Sequence, residues 1–134
     1  MAIFNSANPM FASGASNDVY STEETRIGTW VDGKPLYRKV FVGGFAGVNV
    51  DSPIGPETPD VEVVTYLSAV ALFSNGSWTL LPYSVGTEYA VCQFNTADNK
   101  IHLRASNAVF VGHDVYVVMH YTKTTDQATG GLPE

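Results

Sequence analysis

The sequence predicts an all-β fold, a β-sandwich or jelly-roll-like domain of about eight short antiparallel strands with an extended N-terminal arm. Runs of β-branched and aromatic residues are separated by turn residues at roughly 8–12-residue intervals, the spacing of a sandwich or barrel. No window of about 11 residues keeps the i, i+3, i+4 apolar stripe of an amphipathic helix. The 134 residues are enough for one domain with a buried core.

Three regions follow from this pattern. Residues 1–25 are polar and show no sustained period, so we assign them to an N-terminal arm or linker. Residues 26–125 carry the strand pattern and form the β-sandwich domain. Residues 126–134 contain Gly130, Gly131 and Pro133, and we assign them to a flexible tail.

The first predicted hairpin joins residues 26–31 to residues 34–42. Asp32-Gly33 lies between these two runs, and Asp-Gly is a strong signal for a two-residue type I′ turn. A two-residue loop would place Trp30 opposite Pro35 on the next strand. A large ring over a cross-strand proline or glycine fixes the register of such a pair.

The remaining strands follow in order, separated by short turns. Asn75-Gly76, Asp98-Asn99 and Gly112-His113-Asp114 supply turn residues between apolar runs. Cys92 lies on the apolar side of an alternating run and is expected in the core, and a single cysteine excludes an internal disulfide. The strands are predicted at residues 61–73 (with a bulge near Ser68), 78–82, 87–95, 100–104, 107–111 and 115–122.

Three segments resemble a known family when they are taken together. They read GTWVDGKPLYRK at residues 28–39, GSWTLLPY at residues 76–83 and HYTKTTD at residues 120–126. In order and spacing they are similar to a β-domain of bacteriophage tail-fibre, baseplate and related virion proteins. The resemblance covers about residues 20–126 and supplies no consensus binding residues.

The resemblance implies a non-enzymatic virion surface protein, a tail-fibre or receptor-binding-type module that contacts a host surface glycan or protein. It implies a homotrimer on the surface of the phage particle, synthesised in the bacterial cytoplasm and joined to other virion proteins through the N-terminal arm. About twenty residues precede the domain, too few for a fibre shaft. A structural head-fibre or capsid decoration protein therefore stays open as an alternative. A polysaccharide depolymerase is a second alternative.

The candidate receptor-binding residues are Phe45, Asn49, Asp51 and Glu57. They lie between residues 43 and 60, the longest stretch without a clear strand pattern, and loops on a rigid scaffold are where specificity resides. Three prolines in this stretch would lower the entropy cost of holding the loop ready for a ligand. The alternative is that the loop packs against a neighbouring subunit or another virion protein.

Composition argues against several function classes. With Lys+Arg 7 and Asp+Glu 13 the net charge is -6, so nucleic acid is not an expected partner. No apolar run approaches the roughly 20 residues of a membrane span. His102, His113 and His120 are not paired at a metal-ligand spacing, although three copies of one histidine could meet on a trimer axis. We expect no catalytic residue, no metal site in one chain and no cofactor.

Overall fold

The computed structural model describes residues 19–128 and has the predicted sandwich architecture. Two antiparallel sheets, of five and four strands, pack face to face. Within the described residues there are nine strands and one short 3-10 helix, Ala108–Phe110. The strands are β1 (Thr25–Thr29), β2 (Pro35–Gly44), β3 (Ser52–Ile54), β4 (Val61–Leu72), β5 (Trp78–Leu81), β6 (Tyr83–Val85), β7 (Glu88–Asn95), β8 (Lys100–Ala105) and β9 (Asp114–Lys123).

The strand order explains how the loop after β2 reaches the second sheet. The five-stranded sheet has the order β1-β2-β9-β4-β5, and the four-stranded sheet has the order β3-β8-β7-β6. The chain therefore leaves the first sheet at the end of β2, crosses the sandwich, and adds β3 to the edge of the second sheet. Residues 45–60 thus connect the two sheets and pass beside β8.

The core lies between the sheets and is formed by alternate residues of each strand. β9 is the central strand of its sheet, and its inward side chains are fully buried: Val115, Val117, Met119 and Tyr121. β8 supplies the opposing layer from the other sheet: Ile101, Leu103 and Ala105. Burying each large apolar side chain stabilises the fold by about 1.5–3 kcal/mol, so this contact fixes how the two sheets face each other.

The first hairpin forms where it was predicted, but the prediction of a two-residue loop was wrong. The Trp30 amide donates to the Lys34 carbonyl at 2.8 Å, and the Gly33 amide donates to the Trp30 carbonyl at 2.9 Å. The loop therefore has three residues, and Pro35 pairs with Thr29 instead of Trp30. The reason is conformational: a type I′ turn needs two residues with positive φ, and only Gly33, at 89°, has one here.

The second hairpin repeats this geometry at Asn75-Gly76. The Gly76 amide donates to the Phe73 carbonyl at 3.0 Å, and the Phe73 amide donates to the Ser77 carbonyl at 2.7 Å. The Asn75 side-chain oxygen accepts from the Ser77 amide at 2.9 Å, as the Asp32 carboxylate does in the first hairpin. A polar residue followed by glycine thus specifies a type I turn that ends in a left-handed glycine at both sites.

Other predicted elements need correction. Residues 107–111 are not a strand: Asn107 caps the 3-10 helix, and its side-chain oxygen accepts from the Val109 amide at 2.9 Å. The bulges of β4 do not lie near Ser68. The register with β9 shifts between Val64 and Tyr66 and again between Val61 and Val63. The short strands β3 and β6 were not predicted.

Both predicted ends of the domain contact the sheet within the described residues. The Val40 amide donates to the Ser21 carbonyl at 2.9 Å. The Glu24 carboxylate accepts hydrogen bonds from Tyr121 and Lys123. At the other end the Tyr37 hydroxyl donates to Asp126 at 2.7 Å. The domain therefore extends beyond residues 26–125, and the rest of the predicted arm (1–18) and tail (129–134) lies outside the described residues.

Candidate functional site

The outer face of the four-stranded sheet is polar, in contrast to its inner face. Alternation along β7 and β8 sends Ala90, Cys92, Ile101 and Leu103 inward. The residues between them point outward and pair across the two strands, Val91 with Arg104 and Gln93 with His102. The outer face thus carries hydrogen-bond donors and acceptors on a rigid sheet.

A shallow depression of about 290 Å³ lies on this face. It is lined by residues of β7 and β8 and by one residue of the loop after β2. These residues are Asp51, Val91, Gln93, His102, Leu103 and Arg104. The depression combines a carboxylate, a carboxamide and a guanidinium, so it can both accept and donate hydrogen bonds.

The loop after β2 is fastened to the sheet beside this depression. The Asn49 amide donates to the Ala105 carbonyl at 2.7 Å, and the Ala46 amide donates to the Ser52 hydroxyl at 2.8 Å. Asn49 has a φ of 56°, a left-handed conformation that asparagine tolerates better than most residues. This local geometry turns the chain so that Asp51 reaches the outer face of β8.

His102 is clamped between two carboxylates. Its Nδ1 lies 2.8 Å from Asp51 Oδ2, and its Nε2 lies 2.7 Å from Asp98 Oδ2. The His102 residue is only 7% exposed although it points outward, because the two acidic side chains flank its ring. The contact to Asp51 ties the loop to β8, and the contact to Asp98 ties in the turn between β7 and β8.

The electrostatics of the clamp favour a protonated histidine. Burial lowers the pKa of His102. The hydrogen bonds and charges of Asp51 and Asp98 together raise that pKa by more than burial lowers it, so it lies above 6.5. Burial raises the pKa of Asp98. The hydrogen bonds that Asp98 accepts from His102 and from the Lys100 amide lower that pKa by more than burial raises it, so it lies below 3.8. At pH values between the pKa of Asp98 and the pKa of His102, the cationic imidazole contacts an anionic carboxylate, which favours one fixed geometry.

A second polar group borders the depression. The Tyr89 hydroxyl donates to Asn49 Oδ1 at 3.2 Å, and Arg104 Nε donates to that hydroxyl at 3.4 Å. The tyrosine ring therefore lies on the outer face, next to the charged end of Arg104. Aromatic rings beside hydrogen-bonding groups suit ligands that have an apolar face and a hydroxyl-bearing edge.

The structure brings two of the four predicted receptor-binding residues together. Asn49 and Asp51 are exposed and reach the polar face as described. Glu57 is also exposed, but it does not line the depression. The prediction that Phe45 is exposed was wrong: it is 2% exposed, and its ring centroid lies 5.6 Å from that of Phe110 in the core. The chain enters the space between the sheets at this position, so the ring is buried.

Three residues of the site were not predicted as binding residues. Gln93, His102 and Arg104 come from strands, whereas the prediction concentrated on loops. A signal was present, because the alternation places them opposite the buried residues of β7 and β8. The sequence did not indicate that the loop at Asp51 lies against the same face, because hydrophobic periodicity does not predict tertiary contacts.

Two side chains of this sheet have the chemistry of a base or a nucleophile, His102 and Cys92. Both ring nitrogens of His102 contact carboxylates, so the imidazole is not placed to take a proton from a ligand. Cys92 points inward, and burial raises the pKa of its thiol to about 12. In the part of the chain that the structure describes, no three histidine, cysteine or acidic side chains are placed to hold a metal ion.

Comparisons with known proteins leave the family open. No family model, no curated protein and no solved structure matches this chain. Among residues 19–128 no helix is long and apolar enough to cross a membrane.

Proposed function

We propose that this protein is a non-enzymatic adhesion module of a bacteriophage virion, which binds a host surface glycan at the depression beside Arg104. The observation that carries the proposal is the polar outer face of the four-stranded sheet, where Asp51, Gln93 and Arg104 meet on one rigid surface. In this proposal the module is exposed on the phage particle as a homotrimer.

The geometry suits a sugar better than a deeply buried ligand. Sugar hydroxyls pair with carboxylate, carboxamide and guanidinium groups, and the depression presents all three. The Tyr89 ring beside Arg104 adds a surface on which a pyranose ring can stack. Because most of these groups come from strands, the site needs little ordering when a ligand binds.

The two alternative functions are a structural virion protein and a polysaccharide depolymerase. A structural head-fibre or decoration protein is favoured by exposed apolar residues on the five-stranded sheet, among them Leu80 and Tyr116, which suit packing against another protein. A polysaccharide depolymerase would need two carboxyl groups on opposite sides of a glycosidic bond. The acidic side chains beside the depression, Asp51 and Asp98, instead contact the same histidine.

The test is binding of fluorescently labelled protein to bacterial cells and to purified lipopolysaccharide and wall teichoic acid. We expect Arg104→Ala to weaken binding about tenfold or more, the loss of one charge-assisted hydrogen bond at a partly desolvated site. Arg26→Ala is the matched control, because Arg26 is an exposed arginine on β1 of the other sheet. Gln93→Ala removes a second contact without changing charge.

The outcomes of this experiment distinguish a glycan receptor from a protein receptor and test whether the depression is the binding site. Binding that is lost in Arg104→Ala, kept in Arg26→Ala and abolished by periodate oxidation of the cells supports a glycan site at the depression. Binding that resists periodate but disappears after proteinase treatment indicates a protein receptor. Equal binding of Arg104→Ala, Gln93→Ala and the wild type would exclude the depression as the site.

A further inference from the structure

The outer face of the five-stranded sheet is apolar, unlike that of its partner sheet. One row of outward residues crosses four strands at the same level: Val42 on β2, Tyr116 on β9, Val70 on β4 and Leu80 on β5. The next row pairs Val40 with Val118 and Ser68. Alternation normally places polar residues on an outer sheet face, so this pattern needs an explanation.

We define the apolar face by the outward residues Val40, Val42, Tyr66, Val70, Trp78, Leu80, Tyr116 and Val118. Leu80 is 65% exposed and Trp78 is 49% exposed. The Trp78 and Tyr116 ring centroids lie 5.7 Å apart, so these rings form one continuous surface. Five of the eight residues are exposed large hydrophobic residues: Val42, Tyr66, Trp78, Leu80 and Tyr116. A contiguous exposed apolar patch of this kind marks an interaction site.

The charge distribution indicates what kind of surface covers this face. The chain has 13 acidic residues and a net charge of -6, so two copies repel each other over most of their surfaces. None of the eight residues of the apolar face is acidic, and the row that contains Tyr66 also holds Arg38 and His120. Copies of this chain can therefore meet here without bringing carboxylates together.

We propose that the apolar face is the interface between copies of this chain. An exposed apolar patch that spans four strands has the composition of an interface core, which is more apolar than the surrounding rim. The two outer faces lie on opposite sides of the sandwich, so assembly through the apolar face leaves the depression beside Arg104 open. The inference rests on self-association and not on glycan binding, so each can fail without the other.

The chain's own N-terminal segment is the competing occupant. Arg38 Nη2 donates to the Val19 carbonyl at 3.0 Å, and the Arg38 guanidinium carbon lies 3.7 Å from the centroid of the Tyr20 ring. The first described residues, Val19 and Tyr20, therefore lie next to the apolar face. The contribution of residues 1–18 is tested directly by a variant that lacks them.

The experiment measures the mass of the full chain by light scattering at micromolar concentration. We expect about three times 14.4 kDa for the wild type and 14.4 kDa for Leu80→Asp. Val85→Asp is the matched control, because Val85 is a similarly exposed apolar residue, at 58%, on an edge strand of the other sheet. Circular dichroism checks that both variants remain folded, as their exposed positions predict. In a Trp30→Phe background, which leaves Trp78 as the only tryptophan of the sequence, the fluorescence of Trp78 should shift to longer wavelength when the oligomer dissociates on dilution.

Each outcome bears on the interface. A wild-type oligomer of any size that Leu80→Asp dissociates and Val85→Asp does not would support it. A wild-type mass of 14.4 kDa, or a Leu80→Asp variant with the wild-type mass, would overturn it. A monomeric wild type, with Trp78 emission that shifts in the Trp30→Phe background when residues 1–18 are removed, would assign the face to the N-terminal segment instead.

Discussion

Gly43 packs directly against Ile54 of the other sheet, and adding a single methyl group there tests how the loop that carries Asp51 is held. A Cβ atom at this position would lie 2.5 Å from Ile54 Cγ2 and 2.9 Å from Ile54 Cβ. Gly43 is on β2 and Ile54 is on β3, so the contact joins the sheets at both ends of the loop that carries Asp51. We therefore expect Gly43→Ala to push β3 away from β2.

The size of the effect follows from these distances. Ordinary carbon–carbon contacts lie at about 3.5–4.0 Å, so Ile54 would have to withdraw by roughly 1 Å. Ile54 is buried and has little room to do so. Overpacking of this kind costs about 1–3 kcal/mol, offset by about 0.5 kcal/mol because alanine is better tolerated than glycine within a strand. At about 4 °C per kcal/mol, the midpoint of thermal unfolding should fall by roughly 2–10 °C.

The assay is thermal unfolding followed by circular dichroism, with Gly28→Ala as the control. A Cβ at Gly28 would meet no atom within 4 Å, so this variant should stay within about 0.5 kcal/mol of the wild type. If Gly43→Ala unfolded at the wild-type temperature, the close approach of β2 and β3 would be refuted. Equal losses in both variants would show that any alanine in these strands is costly.

The other predictions concern the first hairpin, the histidine clamp and the core thiol. Gly33→Val should lower the thermal midpoint more than Gly28→Val, because Gly33 has a φ of 89° and a Cβ there would lie 3.3 Å from Ala128 Cβ; equal midpoints would contradict this. The raised pKa of His102 means that its stabilisation is complete below about pH 6.5 and is lost as pH rises through the folded-state value. The lowered pKa of Asp98 means that the stabilisation contributed by its carboxylate is lost only in acid. His102→Gln should therefore destabilise the fold most between about pH 4 and 6.5, and least above the folded-state pKa of His102. A difference in urea midpoint that does not depend on pH would contradict this. Cys92, with a pKa of about 12, should react with iodoacetamide at pH 8 only after unfolding, and rapid labelling of the native protein would contradict its burial.

Much of the fold was contained in the sequence because strands and turns have local signatures. The alternation of Ala90, Cys92 and Phe94 was confirmed as the inner side of β7, and both Asn/Asp-Gly turns form hairpins. The errors arose where local signals compete. Asp32-Gly33 is compatible with two loop lengths, and the choice depends on whether Asp32 adopts a positive φ, which the sequence pattern does not specify.

The candidate site was predicted only in part because it depends on long-range contacts. Asp51 was assigned to a binding loop, but its position against His102 follows from the pairing of β3 with β8 across 50 residues of chain. Phe45 was expected to be exposed because it lies in the longest stretch without a clear strand pattern. The parallel bridge from Phe45 to Val111 instead carries it between the sheets, where it packs on Phe110.

Hydroxyl-radical footprinting of the assembled protein, with and without purified glycan, tests both outer faces at once. We propose that one outer face joins copies of the chain and the other binds the ligand. We therefore expect Trp78 to be protected in the wild type and reactive in Leu80→Asp, while Tyr89 reacts in both until glycan is added. Protection of Tyr89 without glycan, together with a reactive Trp78 in the wild type, would contradict the assignment of the two faces.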